Sequence, residues 1–208
     1  MARKKKGLLI VVSGPAGVGK GTVNAALMAK HPEIKLSVSV TTRAPRLGEI
    51  EGVHYFYRTK EEFDRMIEEN AFLEYMHVFG MNYYGTPKAF VEEERNKGNH
   101  VLLEIDVQGA MKVKETCPDA VLVFIAPPSL KILKERLVGR GTETQESIDI
   151  RTATAIDELK KLPAYDYMVI NDVVEEAVSD MEAILSAELN RTARNTNLIV
   201  KLTGGETI

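Results

Sequence analysis

The sequence predicts an α/β fold: a parallel sheet flanked by helices, with a small mixed β/α lobe inserted and a helical lid, all within a single domain spanning 1–208. Three observations predict it. Short aliphatic runs at Leu8–Ser13, Val101–Ile105, Ala120–Ile125 and Tyr167–Ile170 are each followed by a helical pattern, the alternation from which parallel sheets are built. The stretch between the first helix and Val101 has another texture, short polar and aromatic pieces that suit small strands. The composition, 44% apolar and 27% charged over 208 residues, is that of an ordinary globular chain long enough to bury a sizeable core.

The elements follow in order. Leu8–Ser13 is β-branched and closes on Gly14-Pro15, a buried strand meeting a turn. A helix from Gly21 to Lys30 stops before Pro32. The lobe holds Val53-His54-Tyr55-Phe56-Tyr57 and Asn82-Tyr83-Tyr84-Gly85 as strand pieces, and between them Thr59 and Glu62 have capping-box spacing for a helix to about Asn70. Ser129 can cap a helix to about Val138, after which a charged stretch, Arg136 to Arg151 with Gly139 and Gly141, lies between helices. Asp172 and Glu175 repeat the capping spacing. Beyond them Val174, Ala177, Val178, Met181, Ile184, Leu185 and Leu189 recur at helical steps, a stripe that packs on the sheet as core. The expected parts are a core of about 7–35, 98–128 and 160–208, a lobe of about 36–97 and a lid of about 129–159.

Several classes of function are disfavoured. Lysine and arginine number 27 against 30 acidic residues, a net charge of −3, and a mildly acidic chain is a poor general binder of nucleic acid. Cys117 is the only cysteine, which excludes an internal disulfide, and His31, His54, His77 and His100 are too scattered for a zinc helix. The longest apolar run, Ala120–Ala126, falls far short of the ~20 residues a membrane helix needs. Arg3-Lys4-Lys5-Lys6 resembles the start of a leader, but Leu8–Val12 is too short for its apolar region. A cytoplasmic chain is expected, with those four cations solvated or in contact with RNA or an anionic surface.

Gly14-Pro15-Ala16-Gly17-Val18-Gly19-Lys20 satisfies G-x-x-x-x-G-K between a strand and a helix, the context the pattern requires. Glycines let successive N–H groups converge on a polyphosphate, the helix dipole favours the same anion, and Lys20 adds a full charge. The predicted sheet is therefore of the P-loop NTPase type. Gly21 stands where the general pattern has a magnesium-binding hydroxyl, so direct ligation there is impossible. Thr22 can still bond a phosphate, and Mg²⁺ is expected to be held mainly by phosphates and water near Thr22 and Asp106. Gly-Lys-Gly-Thr suggests a small nucleotide kinase.

A second phosphate site is suggested by Arg43 and Arg46, three apart around a proline turn, with Tyr55 as a phenolic donor; a solvated basic loop fits the same pattern. Asp106 lies at the carboxyl end of a predicted strand, where open α/β sheets place ligands, and Glu104 shares its face or enters a structural hydrogen bond. Arg136 and Arg140 fall on one helix face, with Arg151 arriving from the next helix; Arg136 could instead pair with Glu135 or Glu143.

With these residues in place, the sequence resembles the guanylate kinase family over nearly its whole length. The resemblance is carried by the phosphate loop, Ser39 to Tyr55, Phe72-Leu73-Glu74, Asn82 to Thr86, Leu103 to Gly109, Arg136 to Thr144 and Ile170-Asn171-Asp172. It implies transfer of the ATP γ-phosphoryl to GMP, giving ADP and GDP, with Mg²⁺ as cofactor and the lobe as the GMP-binding part. It also implies GMP phosphate contacts from Arg43, Arg46, Tyr55 and Tyr84, and guanine contacts from Glu74, Ser39 and Thr86, with Asp106 on the GMP side. ATP would be held by Gly14, Pro15, Ala16, Gly17, Val18, Gly19, Lys20, Gly21, Thr22, Arg136, Arg140 and Asn171. Lys20, Arg43, Arg140, Arg151 and Asp106 would carry the catalysis. Without the resemblance, Glu74 reads as a solvated strand charge and Asn171 as part of a helix-entry turn. Met81, before Asn82, departs from the family pattern and leaves the loop geometry there open. The alternative is a catalytically inactive binding module of the same family, which usually has a degraded phosphate loop. Monomer and homodimer are both compatible with the sequence.

Overall fold

The computed structural model describes residues 6–78, 82–139 and 144–205. The chain runs β1 (Leu9–Ser13), α1 (Lys20–Lys30) and β2 (Ile34–Leu36), and then enters the lobe. There it forms β3 (Val40–Thr41), β4 (Phe56–Tyr57), α2 (Lys60–Glu68), β5 (Phe72–Val78), β6 (Asn82–Pro87) and α3 (Lys88–Lys97). It returns through β7 (His100–Glu104), α4 (Val107–Thr116), β8 (Val121–Ala126), α5 (Leu130–Gly139), α6 (Gln145–Leu159), β9 (Tyr167–Ile170), α7 (Val174–Asn190) and α8 (Thr196–Leu202).

Among the described residues the strands form a five-stranded sheet in the order β2-β7-β1-β8-β9 and a four-stranded sheet in the order β4-β3-β6-β5. All pairings in the first are parallel; β1 lies at its centre, with Val12 beside Glu104 and Ser13 beside Phe124 at the carboxyl ends. Alternate residues of β1 serve opposite faces, as the two-residue period of a strand demands. Leu8, Ile10 and Val12 join Val23 and Leu27 of α1 and Val178 and Met181 of α7. Leu9 and Val11 join Val91 of α3 and Ala110 and Val113 of α4. Each such aliphatic side chain, fully withdrawn from water, contributes about 1.5–3 kcal/mol before entropy is charged against it. Burial on both faces is what makes these strands read as continuous apolar runs.

The lobe has its own small core, in which Phe63 of α2 stacks on Phe72 of β5 at 4.5 Å beside Val40. The capping box at Thr59 and Glu62 forms, and Ser129 Oγ accepts from Ile132 N at 3.2 Å at the start of α5. The closing-helix stripe is buried, led by Ala177, Val178, Met181 and Leu185. No described helix is long and apolar enough to cross a membrane.

Four expectations are corrected. Asp172 does not cap α7: Val173 is the N-cap residue, with no side-chain bond, and Asp172 turns toward Arg136 at 3.8 Å. Within 53–57 only Phe56–Tyr57 is strand, because backbone bonds from Val53 and His54 to Ile50 O form a turn ahead of it. In the charged stretch Arg136–Arg151 the described residues are largely helical, shared between α5 and α6. Among the described residues Arg136 pairs not with Glu135 but with the chain end of β9, donating to Asn171 O at 2.7 Å and to Asp172 O at 3.3 Å, with the Asp172 carboxylate at 3.8 Å. Met81, Arg140, Gly141, Glu143 and Arg3-Lys4-Lys5 lie outside the described residues.

Candidate active site

The carboxyl ends of β1 and β7 carry two differently built groups of residues. At one end, Gly14–Gly19 turn β1 into α1. Gly19 is the N-cap residue at φ 93°, makes no side-chain cap bond, and no acidic residue occupies the first turn of α1. The helix therefore presents its first N–H groups and positive dipole end to solvent, the arrangement that receives an anion. Gly19 is required sterically as well as conformationally, since a Cβ there would lie 2.5 Å from Asn171 Nδ2. Lys20 folds over the loop, its Nζ donating to Gly14 O at 2.5 Å and Pro15 O at 3.2 Å. Pro15, Ala16 and Val18 supply backbone to this loop, Val18 with its side chain fully buried, while Gly21 and Thr22 stand exposed in the first turn of α1.

Asn171 is 4% exposed and reaches across from the end of β9 to donate from Nδ2 to Val18 O at 2.7 Å. It thus braces the loop from behind. Its Oδ1 is buried without a hydrogen-bond partner among the described residues. Arg136, hung on Asn171 O, stands on the same side. Arg151 lies on α6 with its Nε 3.4 Å from Ser147 Oγ.

Acidic groups line the middle. Glu104, at the end of β7, accepts from Asn24 Nδ2 of α1 at 2.8 Å and faces Gly21, whose Cβ would sit 3.8 Å from Glu104 Oε2. Asp106 caps α4 by accepting from Gly109 N at 2.7 Å, and its carbonyl accepts weakly from Ser13 Oγ at 3.4 Å. Glu158 of α6 completes the group: burial raises its pKa, the Lys20 charge lowers it and Asp106 raises it. Nothing in the sequence singled out Glu158, which sits in the run Asp157-Glu158-Leu159-Lys160-Lys161 that looks like a solvated face.

The other end is made of side chains on the lobe. Glu74 points inward from β5 and is 7% exposed, so the solvated-charge reading is wrong. Thr86 of β6, its cross-strand partner, donates from Oγ1 to Glu74 Oε1 at 2.6 Å. Burial pushes the Glu74 carboxyl up to about 7, with Thr86 opposing and the nearby Asp106 charge reinforcing the rise. Gly109 lies between the two carboxylates, a Cβ there falling 3.2 Å from Glu74 Oε2 and 3.4 Å from Asp106 Oδ1. Ser39 precedes β3, its carbonyl accepting from Phe56 N.

Arg43 lies over the Tyr55 ring at 5.3 Å, and Tyr55 meets Tyr84 edge-on at 5.8 Å. The Arg43 fork is bidentate to Glu49, Nη1 to Oε2 at 3.0 Å and Nη2 to Oε1 at 2.9 Å. The Glu49 carboxylate, with help from Tyr84, holds the Arg43 pKa above its ordinary range, and Arg43 with the Arg46 N–H holds Glu49 down at about 2. Burial raises the Tyr55 phenol. The Arg46 side chain is exposed, one residue from the fully exposed Leu47. Asp106 is the residue common to both ends. It abuts Glu74 across Gly109 and shares the middle of the site with Lys20 through Glu158.

Among the described residues no group of three or more His, Cys, Asp or Glu side chains could cage a metal ion. What the site offers instead is carboxylates beside an anion-binding loop, a setting for a hydrated cation that arrives with phosphate.

The guanylate kinase family model matches residues 6–188. The chain is 50% identical over 197 residues to the guanylate kinase of Clostridioides difficile strain 630, covering 95% of this chain and 96% of that protein. It is 52% identical over 202 residues to the guanylate kinase of Caldanaerobacter subterraneus subsp. tengcongensis, covering 97% and 98%. The crystal structure of guanylate kinase from Anaplasma phagocytophilum superposes with a TM-score of 0.78 at 34% identity, covering 98% of each chain.

Proposed function

The chain belongs to the guanylate kinase family, and from that premise we propose how the two ends of its site divide the reaction. The protein is a nucleoside monophosphate kinase that transfers a phosphoryl group to GMP. In our reading the loop after β1 takes the ATP phosphates and the lobe takes GMP, with the γ-phosphoryl passing to the GMP phosphate to give ADP and GDP, reversibly. The observation that carries this is the pairing of a glycine loop, bare of acid at its helix end, with a buried Glu74–Thr86 pair at the opposite end.

The chemistry follows from the groups present. The acceptor phosphate is already an anion at neutral pH, so no strong general base is needed, and catalysis is alignment and charge neutralisation. Lys20 meets the transferring charge from the loop side, Arg151 and Arg140 from the lid side, and Arg43, Arg46, Tyr55 and Tyr84 fix the acceptor phosphate. Guanine offers N1–H and N2–H donors side by side, which the Glu74 carboxylate accepts, with Ser39 and Thr86 completing the base contacts. Adenine has no proton on N1, and a site that leaves a buried acceptor unpaired discriminates by ~10⁴-fold or more. In our reading Asn171, which donates to Val18 O, and Arg136, anchored on the Asn171 carbonyl, serve ATP by shaping the loop, which these two bonds support.

Mg²⁺ fits as a guest of the nucleotide: Gly21 offers no ligand, and Glu104, Asp106 and Thr22 would take hydrogen bonds from its waters. When bound, it supplies neutralisation of phosphate charge. Water must be kept from the γ-phosphoryl, and α5 and α6 are the elements we propose to close over ATP. The proposed setting is the cytoplasm.

A coupled ADP-release assay with Mg·ATP and each nucleoside monophosphate in turn tests the reading. GMP should be strongly preferred, and equal use of AMP would sink the assignment of Glu74.

A further inference from the structure

Glu49 bonds the group that the proposed function gives to the GMP phosphate, yet it is itself an anion. Its carboxylate gathers Arg43 Nη1 and Nη2, Arg46 N at 2.7 Å and the Tyr57 hydroxyl at 2.9 Å. Two roles are open to such a group. It could occupy the phosphate's place and be displaced, or it could stay and aim the arginine.

We propose that Glu49 is a positioning residue for the acceptor phosphate: it holds the terminal edge of the Arg43 guanidinium so that the side edge faces the incoming anion.

The hydrogen-bond inventory supports this. A guanidinium carries five N–H donors in a fixed plane. Glu49 takes one from each terminal nitrogen, and Nη1 also donates to Ala44 O at 2.8 Å. The remaining Nη2 hydrogen and the Nε hydrogen form a second two-pronged edge, matched to two phosphate oxygens. The Tyr55 ring lies beneath the same guanidinium and presents its edge contact to Tyr84.

The anchors of Glu49 also favour staying. Arg46 N–H and the Tyr57 hydroxyl hold the carboxylate from its own loop, independently of Arg43. Side-chain exposures of 13% for Arg43 and 17% for Glu49 show a pair largely withdrawn from water, where its orientation is retained. A phosphate displacing Glu49 would have to break all four bonds. One adding at the side edge, next to Tyr84, leaves these four in place.

This rests on the GMP reading, and the experiment separates the two. Wild type, Glu49→Gln, Tyr57→Phe and the double variant are compared for GMP and ATP KM, for direct binding of GMP by calorimetry, and for Tm. Glutamine keeps the size and one acceptor oxygen but loses the charge and the second acceptor. Glu49→Gln should raise the GMP KM and Kd about 10-fold or more, leaving the ATP KM within about twofold, because only acceptor binding uses this edge. Tyr57→Phe should give a shift of about threefold in the same direction, and the double variant should be no worse than Glu49→Gln alone, since Tyr57 acts through Glu49. Tighter GMP binding in Glu49→Gln would overturn the proposal in favour of a competing anion. An unchanged GMP KM, or parallel rises for both substrates with a fall in Tm, would also overturn it. Failure of the wild type to phosphorylate GMP would instead strike at the functional reading.

Discussion

In the proposed reading, the loop after β1 offers a nucleotide mostly backbone, whereas the lobe of β3 to β6 offers it side chains. At the loop, selection acts through what is missing, namely a Cβ at Gly19 and an acid in the first turn of α1. A polyphosphate is the same on every nucleotide, and N–H groups with a dipole suffice to hold it. The lobe must tell one base from another, which takes groups of definite hydrogen-bonding sense. In the proposed reading Glu74 and Thr86 supply it at the expense of a buried carboxyl. General affinity is thus entrusted to the main chain, and identity to side chains that are individually replaceable.

The sharpest test of that contrast is Lys20→Met, which removes the full charge from the loop end. We expect kcat to fall by ~10³-fold or more, because charge on the transferring group loses its main partner. The Tm should hold, since the described Lys20 bonds are to carbonyls of its own loop. A scan of kcat together with a thermal melt decides it.

Glu74→Gln comes next and should split function from stability. GMP kcat/KM is expected to drop by ~10²-fold or more, with ATP binding unaffected. The folded pKa of about 7 lies above the ordinary 4.5, so the stability contributed by Glu74 is fully present below pH 4.5 and lost as pH rises through 7. The glutamine variant should therefore be more stable than wild type at pH 8, by ~1–3 kcal/mol on the scale of 1.4 kcal/mol per pKa unit. Denaturant melts at pH 5 and pH 8 check the sign, which should show the gain only at the higher pH.

A third prediction needs no mutation. Guanine requires the ionised carboxylate, so the GMP KM should rise as pH falls below about 7, approaching tenfold per unit, while the ATP KM stays flat. Preference for GMP over AMP should narrow over the same range, because a protonated Glu74 can donate to adenine N1. The smallest effect is expected from Thr59→Ala, which removes the capping box of α2 for ~1 kcal/mol of stability and leaves both KM values alone.

The two ends also differed in how far the sequence disclosed them. The loop motif is contiguous and its glycines carry their own explanation, as do the aliphatic strands buried on both faces. The lobe is opaque locally: β3 and β4 are two residues each, and β5, Phe-Leu-Glu-Tyr-Met-His-Val, mixes a charge into a strand. Glu74 is bearable inside only because Thr86 faces it from β6, a partner twelve residues away. Family resemblance pointed to Glu74, where patterning alone gave a solvated residue. Glu158 stayed hidden for a related reason, since what sets it apart from Asp157 and Lys160 is the long-range approach of Lys20 and Asp106. Asp172 had the right chemistry for a helix cap and was recruited by Arg136 instead.

The brace from Asn171 to Val18 spans 153 positions of the chain. The glycine loop is made well before β9, yet its shape is secured by a residue at the end of that strand. Nascent polypeptide lacking β9 would carry the motif without the clasp. Nucleotide affinity should therefore emerge only once β9 has joined the sheet.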